Sequence, residues 1–194
     1  MQAAGEAAEV NGWTLLSDGS WPGYVELPFR VMEGYRQIAT EIVDQMCGQP
    51  GDVPSHVLLQ AGVGGLAAAV AAELRLAWGD TPEMIVVEPE AAPALIESIR
   101  AGQVAVTEGP ASSMGRLDCK TPSMLALADL ARDADRFITV SEAEAAAGTA
   151  AVAAHGLAST PSGAAGVAAL LAGLAGIGAD AHVLCILSEG PEDA

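Results

Sequence analysis

The segment Gln60-Ala61-Gly62-Val63-Gly64-Gly65-Leu66 is the part of the sequence best suited to chemistry. It follows the apolar run His56–Gln60 and precedes an Ala-rich stretch, so we expect it to join a buried strand to a helix. Glycines let the backbone approach a ligand closely, and the start of a helix supplies free N–H groups and partial positive charge. This combination favours a phosphate site. Because the segment matches neither GxGxxG nor a P-loop, an ordinary strand–helix turn stays open as the alternative.

Asp18 is the second candidate, since a carboxylate can serve as a general base. It is followed by Gly19, and on its own this pair favours a turn. Asp18 lies within a group of short motifs that keep one order along the chain. They are Asn11-Gly12-Trp13, Ser17-Asp18, Trp21-Pro22-Gly23-Tyr24, Leu27-Pro28 and Met32-Glu33-Gly34-Tyr35.

Together these motifs resemble diaminopropionate ammonia-lyases, which are fold-type II (tryptophan synthase β-like) pyridoxal-phosphate enzymes. The glycine segment resembles the phosphate loop of that family. Four supporting motifs follow in the family's order, at residues 86–89 (VVEP), 114–123 (MGRLDCKTPS), 160–166 (TPSGAAG) and 187–190 (LSEG). The resemblance covers nearly the whole chain and corresponds to the C-terminal half of the family fold.

The resemblance implies that pyridoxal 5′-phosphate is the cofactor. Its phosphate would be held by backbone amides of the loop, namely Gly62, Val63, Gly64, Gly65 and Leu66. We expect Gly64→Val to abolish this binding, because a β-branched side chain would occupy the phosphate space and resist positive φ.

The resemblance also assigns roles outside the loop. Asp18 would take the α-proton of a small amino-acid substrate, and Glu88 would lie next to the cofactor. Ser162 would hydrogen-bond the ring nitrogen, although it could equally be the N-cap of the last helix. The implied reaction is α,β-elimination of 2,3-diaminopropionate to pyruvate and ammonia, in an enzyme that forms homodimers.

Departures from the family pattern put catalysis by the chain alone in question. Pyridoxal-phosphate chemistry needs a lysine that forms a Schiff base with the cofactor. In the family this lysine lies well N-terminal of the glycine loop, in a segment that the 194 residues do not contain. Lys120, the one lysine present, stands where a glycine is usual, so we expect it not to be catalytic. Arg116 also replaces a glycine, and Asp118, Thr121 and Pro161 are further substitutions.

Three functional hypotheses therefore remain. The chain is an ammonia-lyase domain that is inactive alone, a non-catalytic remnant or subunit that works with a separate N-terminal half, or an unrelated phosphometabolite-binding α/β domain. We expect residues 1–194 to form a single partial domain.

The charge and composition of the chain exclude some classes of partner and indicate where the protein is located. A net charge of −17 disfavours nucleic acid and anionic membrane surfaces, because both need clustered Lys and Arg. No signal peptide is evident in the first ten residues, and the apolar stretch 163–178 is slightly short for a bilayer span. Three scattered cysteines indicate reduced thiols and a cytoplasmic protein, and three separated histidines indicate no metal site.

The alternation of apolar runs with helical periodicity predicts an α/β fold, with a mostly parallel sheet covered by helices on both faces. The predicted strands are 13–16, 56–60, 84–87, 137–140 and 182–187. The predicted helices are 28–46, 66–78, 92–100, 122–132, a helix capped by Ser141 with Glu144 in a capping box, and 163–174.

Overall fold

Four parallel strands form the sheet in the computed structural model, which describes residues 2–49 and 51–191. They are β1 (His56–Gln60), β2 (Glu83–Pro89), β3 (Arg136–Val140) and β4 (Val183–Cys185), in the order β3-β2-β1-β4. The helices are α1 (Gln2–Asn11), α2 (Glu26–Met46), α3 (Gly65–Trp78), α4 (Ala94–Ala101), α5 (Met124–Asp133), α6 (Glu142–Ala154) and α7 (Ala165–Ala172). The predicted α/β class and parallel sheet are confirmed.

Helices cover both faces of the sheet, so the central strands are apolar on both sides. Val57 and Leu59 of β1 pack toward α2, α3 and α5, whereas Leu58 packs toward α6 and α7. This explains why β1 and β2 have continuous apolar runs instead of alternation. The parallel arrangement places the carboxyl ends of the strands, and the loops that follow them, at one edge of the sheet.

The N-terminal region differs from the sequence prediction. The strand predicted at 13–16 is wrong: after α1 ends, the segment has no regular secondary structure and pairs with no strand among the described residues. Trp13 instead donates its backbone N–H to the carbonyl of Ala8 (2.8 Å) at the end of α1, a helix that the sequence analysis did not predict.

The other elements agree within a few residues. The capping box at Ser141 is confirmed, with the Ser141 hydroxyl accepting from the Glu144 amide and the Glu144 side chain accepting from the Ser141 amide. The last strand is shorter than predicted, at Val183–Cys185. Among the described residues, no helix combines the length and apolarity needed to cross a membrane.

Candidate functional site

A cavity of about 440 Å³ opens where β1 ends and α3 begins. Its wall includes the glycine loop from Gly62 to Leu66, and also Asp18, Tyr35, Arg116 and Glu189. The structure therefore brings together six of the eight predicted site residues, which are Asp18, Gly62, Val63, Gly64, Gly65 and Leu66. Glu88 and Ser162 are not part of this wall.

The start of α3 presents free backbone donors to the cavity. The first N–H bonded within the helix belongs to Ala68, which donates to the carbonyl of Gly64 (2.9 Å). The amides of Gly65, Leu66 and Ala67 precede it, and they have no hydrogen-bond acceptor within the described residues. Three unpaired donors and the positive end of the helix dipole at a cavity wall suit an anion such as phosphate.

The loop is held from both sides. The amide of Ala61 donates to the carbonyl of Val87 (2.9 Å), and the carbonyl of Val63 accepts from the amide of Ser123 (2.9 Å). A Cβ on Gly62 would lie 2.8 Å from the carbonyl oxygen of Arg116, so only glycine permits the close approach of the residue 116 loop.

Gly64 is required for a different reason from the one the sequence suggested. Its φ of 96° lies in the left-handed region, as predicted. However, a Cβ there would lie 3.1 Å from both Ala126 and Leu95, in the apolar core and not in the phosphate space. A larger residue at this position would therefore disturb packing between α3, α4 and α5 before it touched any ligand.

Asp18 lies beside the start of α3, where its carbonyl oxygen is 3.9 Å from the position a Cβ on Gly65 would take. Its side chain is exposed to the cavity and has no hydrogen-bond partner within the described residues. The pKa of the neighbouring Cys119 thiol is raised, first by burial and then by the negative charge of Asp18. An unpaired carboxylate at this place is free to accept a proton from a ligand in the cavity.

Hydrogen bonds on either side fix the segment that carries Asp18. The hydroxyl of Tyr24 accepts from the amide of Ser17 (2.9 Å) and donates to the carbonyl of Leu15 (2.7 Å). On the other side, the hydroxyl of Ser20 accepts from the amide of Leu125 (2.8 Å) at the start of α5. These contacts explain why the Trp-Pro-Gly-Tyr motif accompanies the aspartate.

Gln60 is a cavity residue that the sequence analysis quoted in the motif but gave no role. Its side chain is buried, and its amide nitrogen donates to the carbonyls of Ile186 (2.8 Å) and Gly163 (3.2 Å) and to the hydroxyl of Ser188 (3.0 Å). It thereby connects the end of β1 to the chain after β4 and to the turn before α7. Its side-chain oxygen has no partner among the described residues.

Ser162 is buried and does not cap the last helix. Its hydroxyl oxygen accepts from the backbone amide of Arg116 (3.1 Å), whereas Thr160 accepts from the amide of Gly163 (3.0 Å) in the turn before α7. The N-cap alternative is therefore wrong, because residues 161–164 form a turn and α7 begins only at Ala165. Its predicted contact with a ring nitrogen stays a prediction.

Glu88 is fully buried on the sheet face that carries α4. Its carboxylate accepts from the amides of Leu95 (2.7 Å) and Ile96 (2.8 Å) in the first turn of α4. Burial raises the pKa of Glu88 to about 7, and the two amide hydrogen bonds oppose this rise. In this structure Glu88 holds the start of a helix, and the structure does not bring it to the cavity.

Lys120 also lies away from the cavity wall. Its ammonium group donates to the carbonyls of Ala91 (2.6 Å) and Pro110 (3.0 Å) and to Asp118 (2.6 Å). The hydrogen bond from Lys120 lowers the pKa of Asp118. All three donors of the ammonium group are used, so Lys120 fixes the irregular segment before α5.

The histidines and cysteines form no metal-binding group in the part of the chain that the structure describes. His56 contacts Ser55 (2.8 Å) and Glu83 (3.4 Å) at the amino end of β1, opposite the cavity. Within residues 2–49 and 51–191, no three His, Cys, Asp or Glu side chains are grouped to hold a metal ion. Cys47, Cys119 and Cys185 are free thiols.

The wall of the cavity fits the phosphate end of pyridoxal phosphate but not its covalent attachment. The free amides of Gly65, Leu66 and Ala67 provide the donors that a dianion requires. No lysine among the described residues lines the cavity.

Comparisons with known proteins agree with this geometry. The family described as pyridoxal-phosphate dependent enzyme matches residues 1–189. The diaminopropionate ammonia-lyase of Salmonella typhimurium is 34% identical over 152 residues, which is 76% of this chain and 38% of that protein. The protein of the same name from Escherichia coli K12 is 36% identical over 143 residues, which is 73% of this chain and 36% of that protein.

Solved structures show the same relationship. The Escherichia coli diaminopropionate ammonia-lyase in complex with an aminoacrylate-PLP azomethine reaction intermediate has a TM-score of 0.83 and 32% identity, covering 95% of this chain and 51% of that chain. The threonine deaminase from T.th. has a TM-score of 0.84 and 26% identity, covering 100% of this chain and 66% of that chain. The chain thus spans about half, or less, of the length of the diaminopropionate ammonia-lyases that it matches.

Proposed function

The chain belongs to the pyridoxal-phosphate-dependent enzyme family, and from this membership we propose that it forms the phosphate-binding and proton-accepting side of an amino-acid ammonia-lyase site. The proposed substrate is 2,3-diaminopropionate, by analogy with the named relatives. The observation that carries the proposal is the set of unpaired amides at Gly65, Leu66 and Ala67, which share one cavity with the unpaired carboxylate of Asp18.

The proposal gives the backbone amides and the side chains of the site different roles. The amides at the start of α3 hold the cofactor phosphate. The backbone of the rest of the predicted loop also holds it, at Gly62, Val63 and Gly64. Bound pyridoxal phosphate would supply the conjugated ring that accepts the electrons left when the α-proton departs. Asp18 accepts that proton at its carboxylate. In this proposal the Ser162 hydroxyl, which accepts from the Arg116 amide, uses its own O–H to donate to the ring nitrogen.

The lysine that completes such a site is not supplied by the cavity wall described above. Lys120 is held by three acceptors, which favours a structural role for it. We therefore propose that the 194 residues alone bind the cofactor without turnover, and that turnover needs a lysine-bearing segment of the kind that the family resemblance implies. A separate N-terminal half and a homodimer are the partners this proposal includes.

Exposed apolar side chains support the need for such a partner. Trp13, Leu16 and Phe29, all in the first 30 residues, are 66%, 69% and 49% exposed. Large apolar side chains exposed to this extent are available for contact with another segment. The free thiols are consistent with a cytoplasmic site of action, which is also part of the proposal.

Calorimetric titration with pyridoxine 5′-phosphate tests the proposal, because this compound lacks the aldehyde and so cannot react with surface amines. Pyridoxine, which lacks the phosphate, is the matched control ligand. We expect phosphate-dependent binding with a dissociation constant between about 1 mM and tens of micromolar, from roughly 4–6 kcal/mol of amide–dianion contacts. Equal binding of the two compounds would show that the cavity does not recognise phosphate.

The Asp18 role is tested by the variant Asp18→Asn in the chain combined with the lysine-bearing N-terminal half, the preparation that this proposal expects to turn over 2,3-diaminopropionate. We expect a large loss of pyruvate formation with little change in affinity for pyridoxine 5′-phosphate, because the loop amides and not Asp18 hold the phosphate. Unchanged turnover would show that Asp18 is not the group that accepts the α-proton.

A further inference from the structure

Arg116 is fixed in the cavity wall by its backbone. Its amide donates to the buried hydroxyl of Ser162 (3.1 Å), and its carbonyl oxygen lies 2.8 Å from where a Cβ on Gly62 would stand. The neighbouring Met114 and Leu117 are buried in the core. The exposed side chain of Arg116 therefore projects from a well-defined point of the wall.

Arg116 differs from the other basic side chains in having no ion pair. The chain has seven arginines and one lysine, and all of these except Arg116 form salt bridges within the described residues. Arg116 is thus the exception among the seven arginines, in a chain with 25 acidic residues. Its position in the wall of the cavity indicates that its partner is a ligand.

Arg116 lies on a different segment of the wall from the phosphate donors. The free amides belong to Gly65, Leu66 and Ala67, whereas Arg116 contacts the earlier loop residue Gly62 and the turn at Ser162. The cavity wall thus carries backbone amide donors from one segment and a guanidinium from another. Two carboxylates, Asp18 and Glu189, also line it and would repel any further anion that had no cationic partner.

We propose that Arg116 binds the carboxylate of the amino-acid ligand and makes the cavity selective for ligands that carry both a phosphate and a carboxylate. A guanidinium binds a carboxylate through two parallel hydrogen bonds, which gives orientation as well as affinity. The inference rests on the proposed function, since it requires an amino acid joined to the cofactor. Arg116 is thereby a specificity-determining residue.

Two ligands that differ only in the carboxylate-bearing group test the inference. N-(5′-phosphopyridoxyl)-L-alanine has a phosphate, a secondary amine and a carboxylate, whereas pyridoxamine 5′-phosphate has the phosphate and the amine alone. We expect the full chain to bind the alanine adduct roughly 10- to 100-fold more tightly in calorimetric titrations, the range for charge-assisted hydrogen bonds.

The variants locate this preference. Arg116→Gln should remove it while changing the affinity for pyridoxamine 5′-phosphate by less than about twofold. Arg116→Lys should keep part of it, and Arg100→Gln, which makes the same charge change on the exposed side of α4, should keep all of it. A preference that persists in Arg116→Gln, or that is absent from the parent chain, overturns the inference and leaves the proposed function standing. Failure of both ligands to bind overturns both proposals.

Discussion

The buried carboxyl of Glu88 leads to a prediction about stability that also separates a structural role from a cofactor role. Its pKa rises from the ordinary 4.5 to about 7, because burial outweighs the two amide hydrogen bonds from the first turn of α4. The folded chain thus holds this proton more tightly than the unfolded chain. Stability from this group is full below pH 4.5 and is lost as the pH rises to about 7. At about 1.4 kcal/mol per pH unit, the loss amounts to about 3 kcal/mol.

The variant Glu88→Gln isolates this effect, because glutamine cannot ionise. Glutamine offers one acceptor oxygen where the carboxylate offers two, so it has a constant cost of about 1–3 kcal/mol from an unpaired amide. Added to this cost is a pH-dependent difference. Between pH 5 and pH 8 we expect the free energy of unfolding of the variant to improve relative to the parent by about 2–3 kcal/mol. Urea unfolding of both proteins at several pH values measures this difference, and other titrating groups cancel.

A difference that stays constant from pH 5 to pH 8 would refute the reasoning. It would mean that Glu88 is ionised throughout and that the two amides, with the positive end of α4, fully offset the burial. The same samples test the functional role. The affinity for pyridoxine 5′-phosphate should not change in Glu88→Gln, and a loss beyond about fivefold in a folded variant would support the cofactor contact that the sequence suggested.

Three other substitutions have expected outcomes in stability or binding. Gly64→Ala should destabilise the chain by about 2–5 kcal/mol, because it combines positive φ with crowding in the core. The control Gly115→Ala, at a position with open space around it, should change the free energy of unfolding by less than about 0.5 kcal/mol. Equal effects of the two substitutions in thermal unfolding would contradict this. Lys120→Met should cost about 1–3 kcal/mol by leaving two carbonyl groups unpaired, with no change in ligand affinity, and a loss of affinity at unchanged stability would oppose a structural role. Ser141→Ala should cost about 1 kcal/mol in urea unfolding through loss of the capping box, and an unchanged midpoint would show that the cap contributes nothing.

Most of the fold could be predicted from the sequence because the strands are continuous apolar runs and the helices have clear boundaries. His56–Gln60 was predicted with its observed limits, and Gly102 and Gly79 end α4 and α3 as expected. The strand predicted at 13–16 was wrong: Trp13 and Leu16 are exposed, and the segment pairs with no strand in the part of the chain that the structure describes. The helix α1 was missed because its apolar positions have only weak periodicity.

In the candidate site, too, some residues could be placed from the sequence and others could not. The glycine loop and Asp18 could be placed together because short motifs and their order carried that information. The position of Glu88 could not be predicted, because the direction of its side chain depends on the register of two strands. Gln60 pairs with Val87, so the side chain of Glu88, one residue later, projects to the opposite face of the sheet. The missing ion pair of Arg116 was equally inaccessible, since it depends on the three-dimensional positions of every acidic side chain.

The central claim, that the start of α3 is a phosphate site which needs no lysine, is tested most directly by NMR. The backbone amides of Gly65, Leu66 and Ala67 should shift in a saturable way when pyridoxine 5′-phosphate is added, and they should not shift with pyridoxine. Borohydride treatment after addition of pyridoxal phosphate should leave Lys120 unmodified in peptide maps. The claim is contradicted if those three amides stay still while others move, or if the peptide maps show a stoichiometric phosphopyridoxyl group on Lys120.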